Sequence, residues 1–293
     1  MGNTCKLTNT LKKIAQKYCT LVSVTDVEPL SSQVLTLYKK QIKTAPEDFH
    51  YLSRTPDKKI DIKNWYPEAK SVLICTFNYW NSTLDEKRLY LKGSQVSKLL
   101  KIRHRKPSNE YKNNPNHVYK VTRYSMPMPY QKEIKVILKE MLAEFKQIDP
   151  AINGKAFVDT SPVMEKPLAI KAGLGFRGKN AIVVNPDIGS FFFIGGIALN
   201  IALDGDEPKK FKGCGSCNLC IKACPTKALS EYKLDISKCI TAWNYVKMQG
   251  IPPFIKKHRK TLALACDICQ EVCPYNKKTD TPIVKQLEPV TIK

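Results

Sequence analysis

The sequence has no apolar run long enough to cross a bilayer. Its best stretch, Ser190 to Leu203, ends after fourteen residues and contains Asn200, where a spanning helix needs about 20. There is no apolar signal core at the N-terminus, because Thr4-Cys5-Lys6 leads straight into a charged stretch. A myristoylation signal fails as well, since position 6 is Lys6 where Ser or Thr is required. These lacks argue against export and membrane anchoring, and the expectation is a cytoplasmic protein. Without a secretion signal, the eleven cysteines are not expected to pair as disulfides. Histidine is scarce: His50, His104, His117 and His258 all sit in polar surroundings and are expected to be solvated. Acidic residues are outnumbered 26 to 48, giving a net charge of +22. Such a balance attracts polyanions, tRNA or DNA among them. Yet 41 of the 48 basic residues are lysines spread over the whole chain, a pattern equally produced by solvated faces. Charge alone therefore does not choose.

What is there reads as a layered α/β unit. Leu7, Leu11, Ile14, Ala15 and Tyr18 recur at helical spacing. The strand-like stretch LVSVTDV follows, then a helix from about Ser32. Ser71 to Tyr79 reads as a buried strand, and residues 81–120 as a polar, lysine-rich surface excursion. A strong helix is expected from Tyr130 to Ile148, and a strand at 156–158 ending on Asp159. The helix EKPLAIKAG leads to a glycine-rich turn, Gly173 to Asn180. Two strands, 181–185 and 190–197, are joined by the turn Asn185-Pro186-Asp187-Ile188-Gly189. Helices alternating with strands argue an α/β architecture. The expected division is 1–205 for this unit, 206–285 for the cysteine-rich region, and a short tail at 286–293.

Eight cysteines crowd into that second region. Cys214-x2-Cys217-x2-Cys220-x3-Cys224-Pro225 is the ferredoxin run, in which three close thiolates hold one cubane and the fourth reaches across to another. Cys266-x2-Cys269-x3-Cys273-Pro274 is a second run one cysteine short, and Cys239 is the natural replacement. Exchange then assigns Cys214, Cys217, Cys220 and Cys273 to one [4Fe–4S] cluster, and Cys224, Cys239, Cys266 and Cys269 to the other. Zinc also uses Cys-x2-Cys pairs, but it explains neither the proline-terminated run of four nor the count of eight. Cys5, Cys19 and Cys75 stand apart and read as small hydrophobes.

The segments VDTSPVMEKPLAIKAGLGFRGKN, Gly189-Ser190, CGSCNLCIKACPTKAL, Cys239 with its flanks, CDICQEVCPYN and NWYPEAKSVLICTFNY together resemble the epoxyqueuosine reductase family, relatives of the reductive dehalogenases. The resemblance implies a nitroreductase-like, cobalamin-binding α/β domain joined to a two-cluster ferredoxin-like domain. It implies an oxidoreductase that reduces the epoxide of epoxyqueuosine in tRNA, the last step of queuosine biosynthesis. Its electrons would come from a low-potential flavodoxin or ferredoxin-like donor, and the chain would act as a monomer. Asp159 matches the family's proton donor, and Tyr130 a tyrosine of its pocket. On its own residues, Asp159 in Asp-Thr-Ser-Pro reads as well as a turn cap. Gly178, Lys179, Asn180, Val183, Ile194, Thr241, Cys266 and Asp267 are the corrin neighbours the resemblance implies. No Asp-x-His-x-x-Gly motif occurs to supply a histidine to cobalt, as the family leads one to expect.

Three departures stand out. Pro129 and Gln131 occupy positions where the family carries aspartate and histidine, which removes two polar groups from the expected substrate pocket. Ile240-Thr241-Ala242-Trp243 replaces a different family sequence after Cys239. The sequence also stops twenty residues past Cys273, short of the helices and basic segment with which family members are expected to grip tRNA. Three alternatives therefore accompany the leading reading. The chain is a paralogue that reduces another electrophile or a corrinoid partner, a two-cluster electron carrier without cobalamin, or an RNA-binding module with structural clusters.

Overall fold

In the computed structural model, the described residues are 3–292 apart from 44, 46, 48, 50–58, 128, 245–250 and 278. Expectations for His50 fall outside them. The centre is a four-stranded sheet in the order β1 (Leu21–Thr25), β2 (Ser71–Asn78), Phe192–Leu199, Gly154–Val158, with every pairing antiparallel. The second strand is buried along its whole length. Successive side chains of a strand point to opposite faces, so Leu73, Cys75 and Phe77 join one core while Val72 and Ile74 join another. Both faces are thus covered, giving a layered α/β unit.

One face receives the amphipathic helix Tyr130–Ile148, which buries Ile134, Ile137, Leu138, Met141 and Phe145, and the N-terminal helix Asn3–Ala15, which buries Leu11 and Ala15. The other face receives Glu165–Lys171, whose Leu168 and Ala169 pack near Phe157 and Ala198. Gly196 sits closely between the two strands that flank it in the sheet. A Cβ there would lie 2.3 Å from the Leu73 carbonyl oxygen and 2.7 Å from the Phe157 ring.

Three regions differ from, or add to, the sequence expectation. Residues 81–120 are not a surface excursion: they form a strand Tyr90–Lys92, helices Gly93–Ile102 and Asn109–Asn113, and the start of a strand Val118–Val121. Leu89, Val96, Leu99 and Tyr119 from this region are fully or almost fully buried. Its strand Val118–Val121 pairs in parallel with Leu262–Ala263, just ahead of Cys266. The short tail expected at 286–293, described through residue 292, packs back on the α/β unit together with the stretch just before it. Val284 N–H donates to Asn78 O at 3.0 Å, Val290 N–H to Met126 O at 2.9 Å, and Leu287 is fully buried in the main core. Of the expected strand 181–185, only Val183–Val184 forms, as a short hairpin with Phe176–Arg177.

Candidate functional site

The hairpin Phe176–Arg177/Val183–Val184 decides where chemistry can occur, because its tip separates two cavities. Gly178, Lys179, Asn180 and Val184 line one of about 180 Å³, together with Cys214, Cys217, Cys220 and Cys273. Ile182 and Val183 line the other, an open cleft of about 150 Å³ shared with Tyr130, Asp159, Glu165, Lys166, Phe192, Phe193 and Ile194. Val183 and Val184 are chain neighbours about 3.8 Å apart at Cα, so only a thin wall divides the cavities.

The remaining cysteines gather close by. Cys224 packs in one cluster with Cys239, Cys269 and Cys220, and Cys266 lies close enough to Cys239 and Cys224 for their charges to interact. Burial pushes the Cys266 thiol up to about 12, and drives Cys239 and Cys269 upward too. Thiols so placed ionise only beside a cation, which bound iron supplies. Yet no group of three His, Cys, Asp or Glu among the described residues is placed to hold a single metal ion. Cys214, Cys217, Cys220 and Cys273 thus share one cavity, and Cys220 also packs with the neighbouring cysteines Cys224, Cys239 and Cys269.

The loops around these thiols are fixed by the α/β unit. Lys179 N–H donates to Cys214 Sγ at 3.4 Å, and Asn180 Nδ2 to Cys269 O at 3.4 Å. Thr241 Oγ1 donates to Cys266 O at 2.7 Å and accepts from Cys266 N–H at 3.2 Å. Buried Ser190 receives Gln270 and Asn276: Gln270 Nε2 donates to Ser190 O at 2.8 Å, and Ser190 N–H donates to Asn276 Oδ1 at 2.6 Å. Gly189 permits this approach. Its φ is +71°, and a Cβ would stand 2.2 Å from Asn276 Oδ1, which accounts physically for Gly-Ser at this point.

A second clamp was not legible in the sequence. Arg123, 2% exposed, donates through its backbone N–H to Asp267 Oδ2 at 2.9 Å and through Nη1 to the same oxygen at 3.2 Å. Nη1 also reaches Glu271 at 2.5 Å, Nη2 pairs with Glu86, and Lys120 pairs with Glu271 at 2.6 Å. The guanidinium lies 5.4 Å from the Trp80 ring centroid and 5.0 Å from that of Phe191. Asp267 is therefore placed against Arg123 rather than in the open cleft.

The cleft itself has an apolar floor of Ile182, Val183, Phe192 and Ile194 under a polar rim. Asp159 follows the edge strand of the central sheet in a left-handed conformation, φ +49°, which a non-glycine residue adopts only when its surroundings hold it. Three contacts do so. Tyr130 O–H and Gln131 Nε2 each donate to Asp159 Oδ2 at 2.9 Å, and Asp159 N–H donates to Glu165. The Tyr130 ring stacks on Phe193, with centroids 3.8 Å apart and planes 5° from parallel. Gln131 was expected to leave the pocket poorer in polar groups; instead its amide holds Asp159. Burial raises the Glu165 carboxyl to about 8, with the Asp159 carboxylate pushing the same way. Glu165 and Lys166 were not singled out from sequence, although an acidic first turn on Glu165–Lys171 was visible there. Among the expected corrin neighbours, Val183 and Ile194 line the cleft. Gly178, Lys179 and Asn180 line the cysteine cavity, and Thr241 and Cys266 lie in the cysteine loops.

Comparison with known proteins places this geometry. A family model described as a 4Fe-4S double cluster binding domain matches residues 213–276. The epoxyqueuosine reductase of Cyclobacterium marinum is 32% identical over 282 residues, which is 93% of this chain and 80% of that protein. A solved epoxyqueuosine reductase, in complex with an epoxyqueuosine-modified tRNA-Tyr stem loop, aligns over 97% of this chain and 68% of its own, with a TM-score of 0.71 at 22% identity. A reductive dehalogenase whose structure bears on B12-dependent dehalogenation aligns over 98% of this chain and 33% of its own, with a TM-score of 0.56 at 17% identity. Among the described residues, no helix is long and apolar enough to cross a membrane.

Proposed function

The chain belongs to the epoxyqueuosine reductase family of oxidoreductases and carries a double [4Fe–4S] domain, and on that premise we propose that it reduces the epoxide of epoxyqueuosine in tRNA. Opening an epoxide to an alkene takes two electrons and two protons and releases one water. The observation that carries the reading is Asp159, held by Tyr130 and Gln131 over an apolar cleft one hairpin away from eight gathered cysteines.

Each part of that reaction has residues suited to it. Cys214, Cys217, Cys220 and Cys273 hold one cluster, and Cys224, Cys239, Cys266 and Cys269 the other, supplying one-electron carriers. The cleft fits cobalamin in chemistry: the floor from Ile182 to Ile194 suits the apolar face of a flat macrocycle, and Lys166 and Glu165 at the rim suit its polar edge. Bound there, cobalamin would supply a cobalt centre that takes electrons from the clusters and presents them to the substrate. Lys166 feels the charges of both Cys239 and Cys269, so the second cysteine set is the one beside the cleft. Asp159 is the group that passes a proton to the departing oxygen, Tyr130 and Gln131 aim it, and the neighbouring Glu165, which accepts from the Asp159 backbone N–H, holds a proton at neutral pH. The chain works as a cytoplasmic monomer, with 1–205 as the cofactor-binding domain and 206–285 as the electron-carrying one.

The test is anaerobic expression with cobalamin supplied, an iron and cobalt count, and turnover of tRNA bearing epoxyqueuosine. About eight irons with stoichiometric cobalt and conversion to queuosine support the proposal. Asp159→Asn should keep both metals and cut turnover by about 10²–10⁴-fold. Metals without conversion would point to another electrophile, which Gln131 in place of histidine specifically favours. Iron without cobalt would leave an electron carrier.

A further inference from the structure

The two cysteine sets differ in how they meet the surface. The second is enclosed: Ile240, Trp243, Ala265 and Asp267 around it are each 5% exposed or less. The first is at the boundary with solvent. Its loop carries exposed Gly215 and Ser216, and nothing lies within 4 Å of where a Gly215 Cβ would stand. Leu219, which lines the first cavity, is 44% exposed. Tyr232 is 42% exposed and acts electrostatically on Lys179, another lining residue. Two large apolar side chains therefore lie open beside the outer cysteine set.

Charge surrounds them on one sign. Between residues 209 and 233 the basic residues are Lys209, Lys210, Lys212, Lys222, Lys227 and Lys233, all exposed, against a single acid, Glu231. Glu231 is already neutralised by Lys179 at 2.7 Å. Lys212 precedes Cys214 by two residues, and Lys222 stands three after Leu219 on the helix Leu219–Ala223, so Leu219 and Lys222 share a helix face. An apolar centre rimmed by like charges is the make-up of an interface that steers a partner of opposite charge.

From this we infer that the face formed by Leu219, Tyr232 and the lysines 209–233 is where an acidic one-electron carrier protein docks. Each encounter oxidises the carrier by one electron and reduces the outer cluster by one. Two encounters deliver the two electrons that one epoxide consumes, and the protons come from the cleft and solvent. The inference rests on the double-cluster reading above, but not on the substrate.

The experiment is anaerobic stopped-flow absorbance of the cluster-loaded protein mixed with a reduced, strongly acidic flavodoxin, with dithionite as the parallel small-molecule reductant. The combined variant Lys212→Glu, Lys222→Glu, Lys227→Glu should slow flavodoxin-driven bleaching at least tenfold and flatten its salt dependence. Dithionite-driven bleaching should stay unchanged. The matching glutamine substitutions should fall between the wild type and the glutamate variant. Lys132→Glu, Lys139→Glu, Lys146→Glu reverses three exposed charges on the long helix Tyr130–Ile148 and should leave both rates as they were. Equal slowing by both triple variants, or none by the first, overturns the docking face. Absence of about eight irons and of the visible cluster absorbance from the loaded wild type would instead sink the cluster reading itself.

Discussion

Removing the Arg123 guanidinium should loosen the inner cluster more than any other single change outside the cysteines. Arg123→Met keeps the length of the side chain and its contact with Trp80 and Phe191, but leaves Asp267 without its cation. Breaking a buried pair in this way costs about 3–5 kcal/mol. The lower end applies here, because Glu271 keeps Lys120 at 2.6 Å and only Asp267, 5% exposed, is stranded. At 1.36 kcal/mol per decade, about 3 kcal/mol expressed in the opening barrier speeds cluster loss by roughly two decades. A cluster protein unfolds irreversibly once its iron leaves, so the quantity to follow is that rate. The assay is decay of visible absorbance under anaerobic heating with an iron chelator present.

The companion variants separate charge from packing. Arg123→Lys keeps a cation, yet one ammonium cannot serve Asp267, Glu271 and Glu86 together as the planar fork does, so an acceleration of about one decade is expected. Adding Asp267→Asn to Arg123→Met removes the stranded charge and should recover at least a decade of the loss. If Arg123→Met decays within threefold of wild type, or if the two substitutions simply add, the loop is not held by this network and the reasoning fails.

Other consequences follow from the same geometry. Cys239→Ala should lower bound iron from about eight to about four, and retention of all eight would remove Cys239 from the inner set. Gly196→Ala drives a methyl group into the Leu73 carbonyl and should cost about 1–3 kcal/mol, read as a lower thermal midpoint; an unmoved midpoint would contradict the close fit between neighbouring strands. Glu165 keeps its proton in the fold up to about 8, while the unfolded chain releases it in the usual carboxylate range. Folding therefore takes up a proton between those limits, and stability falls as pH rises through them. A protonated carboxyl band in the infrared, titrating near 8 and abolished by Glu165→Gln, checks this, and a band absent at neutral pH would refute it.

The sequence was most legible where interactions are short in range. Eight cysteines within sixty residues declare themselves through spacing, because a cubane forces its loop to be tight. The helix Tyr130–Ile148 declares itself through a 3.6-residue period sustained over nineteen residues. Residues 81–120 hid their core for the opposite reason. Leu89, Val96, Leu99 and Tyr119 are carried on elements as short as three residues and separated by lysines, too brief for either period to emerge.

The site was legible by halves on the same grounds. Tyr130 and Asp159 came from a resemblance, but nothing local says that Gln131, 28 residues away, donates to the same oxygen. Arg123 and Asp267 are 144 residues apart, and no pattern within either segment signals that one buried charge answers the other. That pairing ties the turn after the strand Val118–Val121 to the cysteine loops. Arg123 grips Asp267 between Cys266 and Cys269, while Ser190 holds Gln270 and Asn276. Held at both Asp267 and Gln270, the inner cysteine loop has little freedom to shift relative to the cleft beside Asp159. Under the proposed function, a fixed separation between this loop and Asp159 is what a reaction needing electrons and a proton at one carbon–oxygen bond requires.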